Sequence, residues 1–291
     1  MKEFSNIVLG TASFGNKYGI NNDFVNIDEA LLIISNFIMN GGFEIDTSTN
    51  YGNSEKIISS CLKELNNNQI RITSKFQLSE TTDINKIIKD IENKNKNFNN
   101  QLKCMLCHTP EIVKKGLENK LLKLINLIKS NFDLKIGISI YSYDEFDSLG
   151  DNLKILIDQV QAPINVYDNT AKKVKENTNN YPFLEVSGRS IFLQGFLISD
   201  HCLNKKFSRE WNIFKNFCDN LKIEKPLACL AYVLSNSEID NYVIGVNSLK
   251  QINDLNKNLK NIKENNIKIN FEHLLKENLN PDLIDPRKWN L

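Results

Sequence analysis

The chain has 291 residues, with 36 Lys and Arg against 35 Asp and Glu, and its net charge of +1 argues against a polyanion binder whose affinity rests on net charge. Hydrophobic residues make up 41% and charged residues 24%, while 12 Gly and 6 Pro are too few for a low-complexity or collagenous chain, so a packed core is within reach. No window approaches about 18 consecutive apolar residues, and no membrane span is expected.

The opening segment, MKEFSNIVLGTASFG, lacks a charged region followed by an apolar stretch of about 7 to 15 residues, so no secretory signal is read and a cytoplasmic location is expected. Ile7 to Leu9 is a brief buried-strand candidate. Asp28 to Met39 has the apolar spacing of a helix, ended by Gly41 and Gly42. Phe43 to Asp46 restarts a strand, Ser54 to Leu65 reads as a helix, and Ile70 to Lys75 is a strand again. The unit then repeats. Asp83 to Ile91 is helical, Lys103 to Cys107 extended, and Glu111 to Lys129 strongly helical. Lys135 to Ser139 and Leu153 to Gln161 read as strands separated by a short helix near Tyr143 to Leu149, and Phe183 to Val186 as a further strand. Arg209 to Leu221 and Leu227 to Leu234 are helices, Asn241 to Ile244 a strand, Leu249 to Leu259 a helix, and a last helix lies near Phe271 to Leu279.

Eight strands, each followed by a helix-capable segment and with no Gly, Pro or Ser-rich linker between them, are the signature of an α/β fold of the single-domain (β/α)8, or TIM barrel, type spanning residues 1–291. In such a barrel the loops after the strands form the mouth, so chemistry is sought at the carboxyl ends of strands. The second strand ends in Asp46-Thr-Ser-Thr-Asn-Tyr51-Gly52, the third at Lys75 and the fourth at His108.

Those four residues resemble the catalytic tetrad of the aldo-keto reductase superfamily. The resemblance runs over nearly the whole chain and includes Leu9 to Gly15 after the first strand, Thr73-Ser74-Lys75, Gly137-Ile138-Ser139, Gln161 and Val243-Ile244-Gly245. It implies an NAD(P)H-dependent reductase of a small aldehyde or ketone, with Tyr51 as the acid, Lys75 and Asp46 tuning it, and His108 orienting the carbonyl. Elementary chemistry agrees with these roles. A carbonyl accepting a hydride develops negative charge on oxygen and needs a proton donor aimed there. Tyrosine has an ordinary pKa of about 10, and an ammonium about 4 Å away at an effective dielectric near 20 contributes about 4 kcal/mol toward the phenolate, roughly 3 pKa units. Asp46 keeps such an ammonium paired.

The resemblance also implies a cofactor cradle. Ser139 and Gln161 match the residues that hold the nicotinamide carboxamide, with Gln159 as a rival on the same strand face and Ile140 standing where Asn is usual. After the seventh strand the run is Gly188-Arg189-Ser190-Ile191-Phe192-Leu193-Gln194-Gly195, which puts Arg189 where an aromatic commonly stacks on nicotinamide. A guanidinium there can stack on a flat ring or pair with a phosphate or an acidic substrate. Gln194 and Gly195 belong to the same loop. The run resembles a bacterial subgroup associated with carbohydrate metabolism, which implies a sugar-derived carbonyl. After the eighth strand, Asn247, Ser248 and Gln251 replace the Lys-Ser and Arg that hold the 2′-phosphate in NADPH-using relatives. The family still favours NADP(H), with NAD(H) open.

Other signals point elsewhere and carry less. Cys104-Met-Leu-Cys107-His108 spells the c-type haem attachment pattern, yet it lies on a buried strand. With three His in the chain no second ligand pair stands at zinc spacing, so no metal is expected. The six cysteines, Cys61, Cys104, Cys107, Cys202, Cys218 and Cys229, are scattered and suit reduced thiols. Gly10 to Gly15 lacks the Gly-Lys-Ser/Thr end of a P-loop. Lys86 to Lys103 reads as a solvated helix face, and no nucleic-acid partner is expected. Two rival functions are a regulatory nucleotide-binding barrel subunit with little turnover and a non-redox barrel isomerase or lyase.

Overall fold

The strands are short runs in which most residues are buried, as strands covered on both faces must be, with polar side chains such as Gln159, Gln161 and Lys75 buried among the apolar ones. The computed structural model describes residues 4–109, 111–200, 205–275 and 277–289. In chain order it contains β1 (Ile7–Gly10), α1 (Ile27–Met39), β2 (Glu44–Asp46), α2 (Ser54–Leu65), β3 (Arg71–Phe76), α3 (Ile84–Asn97), β4 (Leu102–Cys107) and α4 (Glu118–Asn131). There follow β5 (Lys135–Ser139), α5 (Tyr143–Asp147), α6 (Asp151–Leu156), β6 (Gln159–Pro163), α7 (Thr170–Glu176), β7 (Glu185–Arg189), α8 (Ser208–Leu221), α9 (Lys225–Leu234), β8 (Asn241–Gly245), α10 (Leu249–Glu264) and α11 (Glu272–Leu275).

The eight strands pair in parallel and in chain order, and β1 closes on β8 with Ile7 opposite Tyr242 and Gly10 opposite Gly245, giving a closed (β/α)8 barrel. Each helix buries one apolar stripe against the barrel wall: Ile33, Ile34 and Phe37 on α1, and Leu121, Leu124, Ile125 and Ile128 on α4. Each such side chain contributes about 1.5–3 kcal/mol on leaving water. Gly137 marks a place where two backbones approach closely, since a Cβ there would run into the Gln159 carbonyl of the neighbouring strand. None of the helices among the described residues is long and apolar enough to cross a membrane.

Several boundaries differ from those read in the sequence, each for a local reason. The helix expected from Glu111 begins at Glu118, because residues 111–116 form turns that end on Gly116 at φ +64°. The strand expected from Leu153 begins at Gln159; the apolar run before it forms α6, which buries Leu153 and leaves Ile155 67% exposed. The strand expected at Phe183 begins at Glu185 and runs to Arg189, Phe183 itself being exposed. α3 continues past Ile91 to Asn97, and α11 is four residues long. α7 was not anticipated; Ala171 and Val174 are its only buried apolar residues, too few to show a period. Cys61, Cys104, Cys107, Cys218 and Cys229 are buried free thiols, and Cys202 lies outside the described residues.

Candidate active site

Asp46 ends β2 and Lys75 lies one residue before the end of β3, so barrel closure brings both side chains to the same wall near the mouth. Lys75 is 1% exposed and Asp46 3%, and Lys75 Nζ donates to Asp46 Oδ1 at 2.5 Å and to the Thr47 carbonyl at 2.9 Å. Burial without those partners would be prohibitive for an ammonium. The loop after β2 is pinned from below. Thr47 N donates to the Thr73 carbonyl, and Ser54 Oγ meets Thr47 Oγ1 at 3.0 Å and donates to the Thr11 carbonyl at 3.0 Å. Gly52, at φ +55°, turns the chain into α2 and leaves Tyr51 leaning back over the ion pair. Lys75 Nζ lies 3.5 Å from Tyr51 Oη and 5.0 Å from the centre of its ring.

Tyr51 is held above the ordinary phenol pKa, by burial first and by Asp46 next, with Arg189 acting the other way. The lowering expected from Lys75 is therefore not the resting condition, because burial of the phenol, with the Asp46 charge added, favours the protonated form. His108 follows β4, half-buried, with its backbone N–H on the Phe76 carbonyl at 2.7 Å. Burial, then Lys75 and then Arg189 lower its pKa from 6.5 to about 4, so at neutral pH the imidazole is uncharged. Its Nδ1 is buried without a hydrogen-bond partner among the described residues.

Gln161 and Gln159 both face the barrel interior, one layer apart. Gln161 Nε2 donates to Asp46 Oδ2 at 2.8 Å, joining the Asp46–Lys75 pair, whereas Gln159 binds Ser187 and accepts from Cys104 Sγ a layer below. Tertiary structure thus separates the two. Ser139 is fully buried at the end of β5, and its Oγ has no partner among the described residues. An orphaned buried hydroxyl beside Gln161, on the neighbouring strand, is a fit for a carboxamide that supplies the missing bond.

Arg189 ends β7. Its Nη2 donates to the Ile140 carbonyl at 2.8 Å, its Nη1 to Ser190 Oγ at 2.9 Å, and its guanidinium lies 4.4 Å above the Tyr141 ring. Arg287, from the C-terminal segment, lies 3.9 Å from the centre of the same ring. Sequence reasoning missed Tyr141 and Arg287, since a stack between residues on separate loops has no periodic signal. Gln194 and Gly195 tie this loop to the one after β1, the Gln194 carbonyl accepting from Ile20 N at 3.1 Å.

After β8 the polar groups are already engaged. Asn247 Oδ1 accepts from Ser13 Oγ at 2.7 Å, Asn247 Nδ2 donates to Asp23 Oδ2 at 2.7 Å, and Asn247 N donates to Gln251 Oε1 at 2.7 Å. Ser248 caps α10 through Gln251 N, and Leu249 N donates to Glu29 Oε1 at 2.5 Å. Asp23 and Glu29 are further residues the sequence did not single out.

The mouth of the closed parallel barrel thus carries a buried Lys–Asp pair, a tyrosine and an uncharged histidine. The Aldo/keto reductase family profile matches residues 6–269, and the chain belongs to that family, whose members are oxidoreductases acting on carbonyl groups. The fold is similar to an aldo-keto reductase from Bacillus halodurans solved in its holo form, with TM-score 0.71, 13% identity, and 96% of this chain and 95% of that one covered. It is also similar to a glycerol dehydrogenase from Gluconobacter oxydans, with TM-score 0.64, 16% identity and coverage of 95% and 94%. No curated protein matches the sequence.

Proposed function

We propose that the chain, as one barrel domain over residues 1–291, is an NAD(P)H-dependent reductase that converts an aldehyde or ketone, in the family reading a sugar-derived one, to an alcohol. The observation that carries this is the buried Asp46–Lys75 pair, with Nζ 3.5 Å from Tyr51 Oη, beside an uncharged His108. When bound, a reduced nicotinamide supplies the hydride. Tyr51 rests protonated, the form a donor needs, and gives its proton as negative charge develops on the carbonyl oxygen. The phenolate left on Tyr51 then faces Lys75 Nζ, which the Asp46 carboxylate and the Thr47 carbonyl hold in place. His108 orients the carbonyl oxygen by a single neutral N–H donor.

Ser139 and Gln161 would hold the carboxamide, and the loop bearing Gln194 and Gly195 would cover the dinucleotide. Asn247, Ser248 and Gln251 would flank its adenosine end. With Asp23 and Glu29 bonded into that corner, the preference for NADP(H) expected from the family shrinks toward parity with NAD(H).

The test is steady oxidation of NADH and NADPH by the purified protein with short aldehydes and ketones, alongside fluorescence titration of both dinucleotides. Turnover with saturable binding is expected. Tight binding without turnover would favour a regulatory nucleotide-binding subunit, and no binding at all a non-redox isomerase or lyase.

A further inference from the structure

Arg189 is a half-buried guanidinium with no carboxylate within 4.0 Å among the described residues. Two cations beside it, Lys75 and Arg287, are neutralised. Lys75 has Asp46 at 2.5 Å, and Arg287 has both Asp285 oxygens at 2.8 and 2.9 Å with Glu145 at 3.7 Å. The two acceptors of Arg189, the Ile140 carbonyl and Ser190 Oγ, are neutral. A partly desolvated charge without a counter-ion is costly, so its retention calls for a partner that arrives from outside.

The fold also commits structure to aiming this group. Ser190 sits at φ +60°, a strained backbone for a residue with a side chain, and its hydroxyl accepts from Nη1. Tyr141 packs against the guanidinium, and Arg287 against the same ring ties the C-terminal segment into this cluster. From the end of β7, beside the Ile140 carbonyl that follows β5, Arg189 lies close enough to the reacting groups for its charge to act on both Tyr51 and His108. Asp168, which also feels Arg189, lies beyond ion-pair distance and accepts from Thr170 N.

We propose that the carbonyl substrate carries a carboxylate or phosphate group, which Arg189 binds while Tyr51 and His108 hold the carbonyl oxygen. This rests on the reductase reading given above. The fork of guanidinium donors suits either oxyanion, and the Ile140 and Ser190 bonds use two of its five N–H groups.

The experiment compares 4-carboxybenzaldehyde with its neutral methyl ester, and glyceraldehyde 3-phosphate with glyceraldehyde, in the wild type, Arg189→Gln and Arg189→Lys. The wild type is expected to favour the anionic member of at least one pair by roughly 10- to 100-fold in kcat/KM, the range of one charge-assisted hydrogen bond. Arg189→Gln is expected to collapse that ratio through KM, and Arg189→Lys to restore part of it. A wild type indifferent to charge, or a ratio untouched in Arg189→Gln, overturns the proposal. So does an Arg189→Gln protein whose loss lies in NADH and NADPH binding, which would assign the charge to a dinucleotide phosphate. A readout free of turnover separates the two claims: 4-carboxybenzyl alcohol should raise the melting temperature of the wild type and not that of Arg189→Gln. That shift in a protein that reduces none of the four carbonyls would keep the anion site and remove the reductase reading.

Discussion

Glu29, in the first turn of α1, accepts a hydrogen bond from the Leu249 backbone N–H at the amino end of α10, across 220 residues of sequence. The positive end of the α10 dipole is therefore already answered by a carboxylate, and Asp23 adds a second through Asn247. If the adenosine end of the dinucleotide lies after β8, as family resemblance implies, a 2′-phosphate there meets two negative charges, whereas a ribose diol can donate to them. We expect dissociation constants for NADPH and NADH within about tenfold of each other, and a Glu29→Gln protein that binds NADPH roughly fivefold tighter, about 1 kcal/mol, with NADH moving less. Fluorescence titration decides it. A wild-type NADPH preference above roughly a thousandfold, some 4 kcal/mol, would reject the idea.

Removing one hydroxyl tests the acid. Tyr51→Phe is expected to lower kcat for carbonyl reduction by about 10² to 10⁴, because proton transfer loses its donor, while dinucleotide dissociation constants stay within about twofold. Half of the wild-type kcat surviving in this variant would take the role away from Tyr51.

The Asp46–Lys75 pair also bears on stability. Asp46→Asn leaves a buried ammonium with neutral partners and no counter-charge, and Lys75→Met leaves a buried carboxylate with only Gln161. Each is expected to cost about 3–5 kcal/mol in urea unfolding, and the double variant distinctly less than the two combined. Simple additivity would mean that the two groups do not stabilise one another.

Acid sensitivity follows from His108, whose pKa falls from 6.5 to about 4 on folding. Between those values the unfolded chain takes up a proton that the folded one refuses, so stability from this group is intact above pH 6.5 and is lost as pH falls toward 4. His108→Gln is therefore expected to lose less melting temperature than the wild type over that interval. Parallel acid-side slopes in the two proteins would show that His108 titrates elsewhere.

Much of the molecule could be read before folding was considered. α2 and β5 run over the residues read from the sequence, and the order of strand-end residues Asp46, Tyr51, Lys75 and His108 pointed to one wall of a barrel. Local pattern suffices there because a strand buried on both faces and a helix with one apolar stripe leave different periods in the sequence. The run from Leu153 to Gln161 was ambiguous because a short apolar stretch suits either state, and burial of Leu153 on the inner face of α6 decided it.

Tertiary structure decided what the residues touch. Gln159 and Gln161 are equivalent in sequence terms, two apart on one face, and only barrel closure gave Gln161 to Asp46 and Gln159 to Ser187. The Arg189–Tyr141–Arg287 stack, the unpaired charge of Arg189, the Glu29 carboxylate at Leu249 and the Asp46 charge that raises Tyr51 all join residues from separate loops or strands. The sequence by itself determined the barrel and the chemical types at its mouth, because both depend on local periodicity and residue identity. Charge balance and pairing there depend on distances of a few ångströms between distant segments, which exist only once the eight strands have closed.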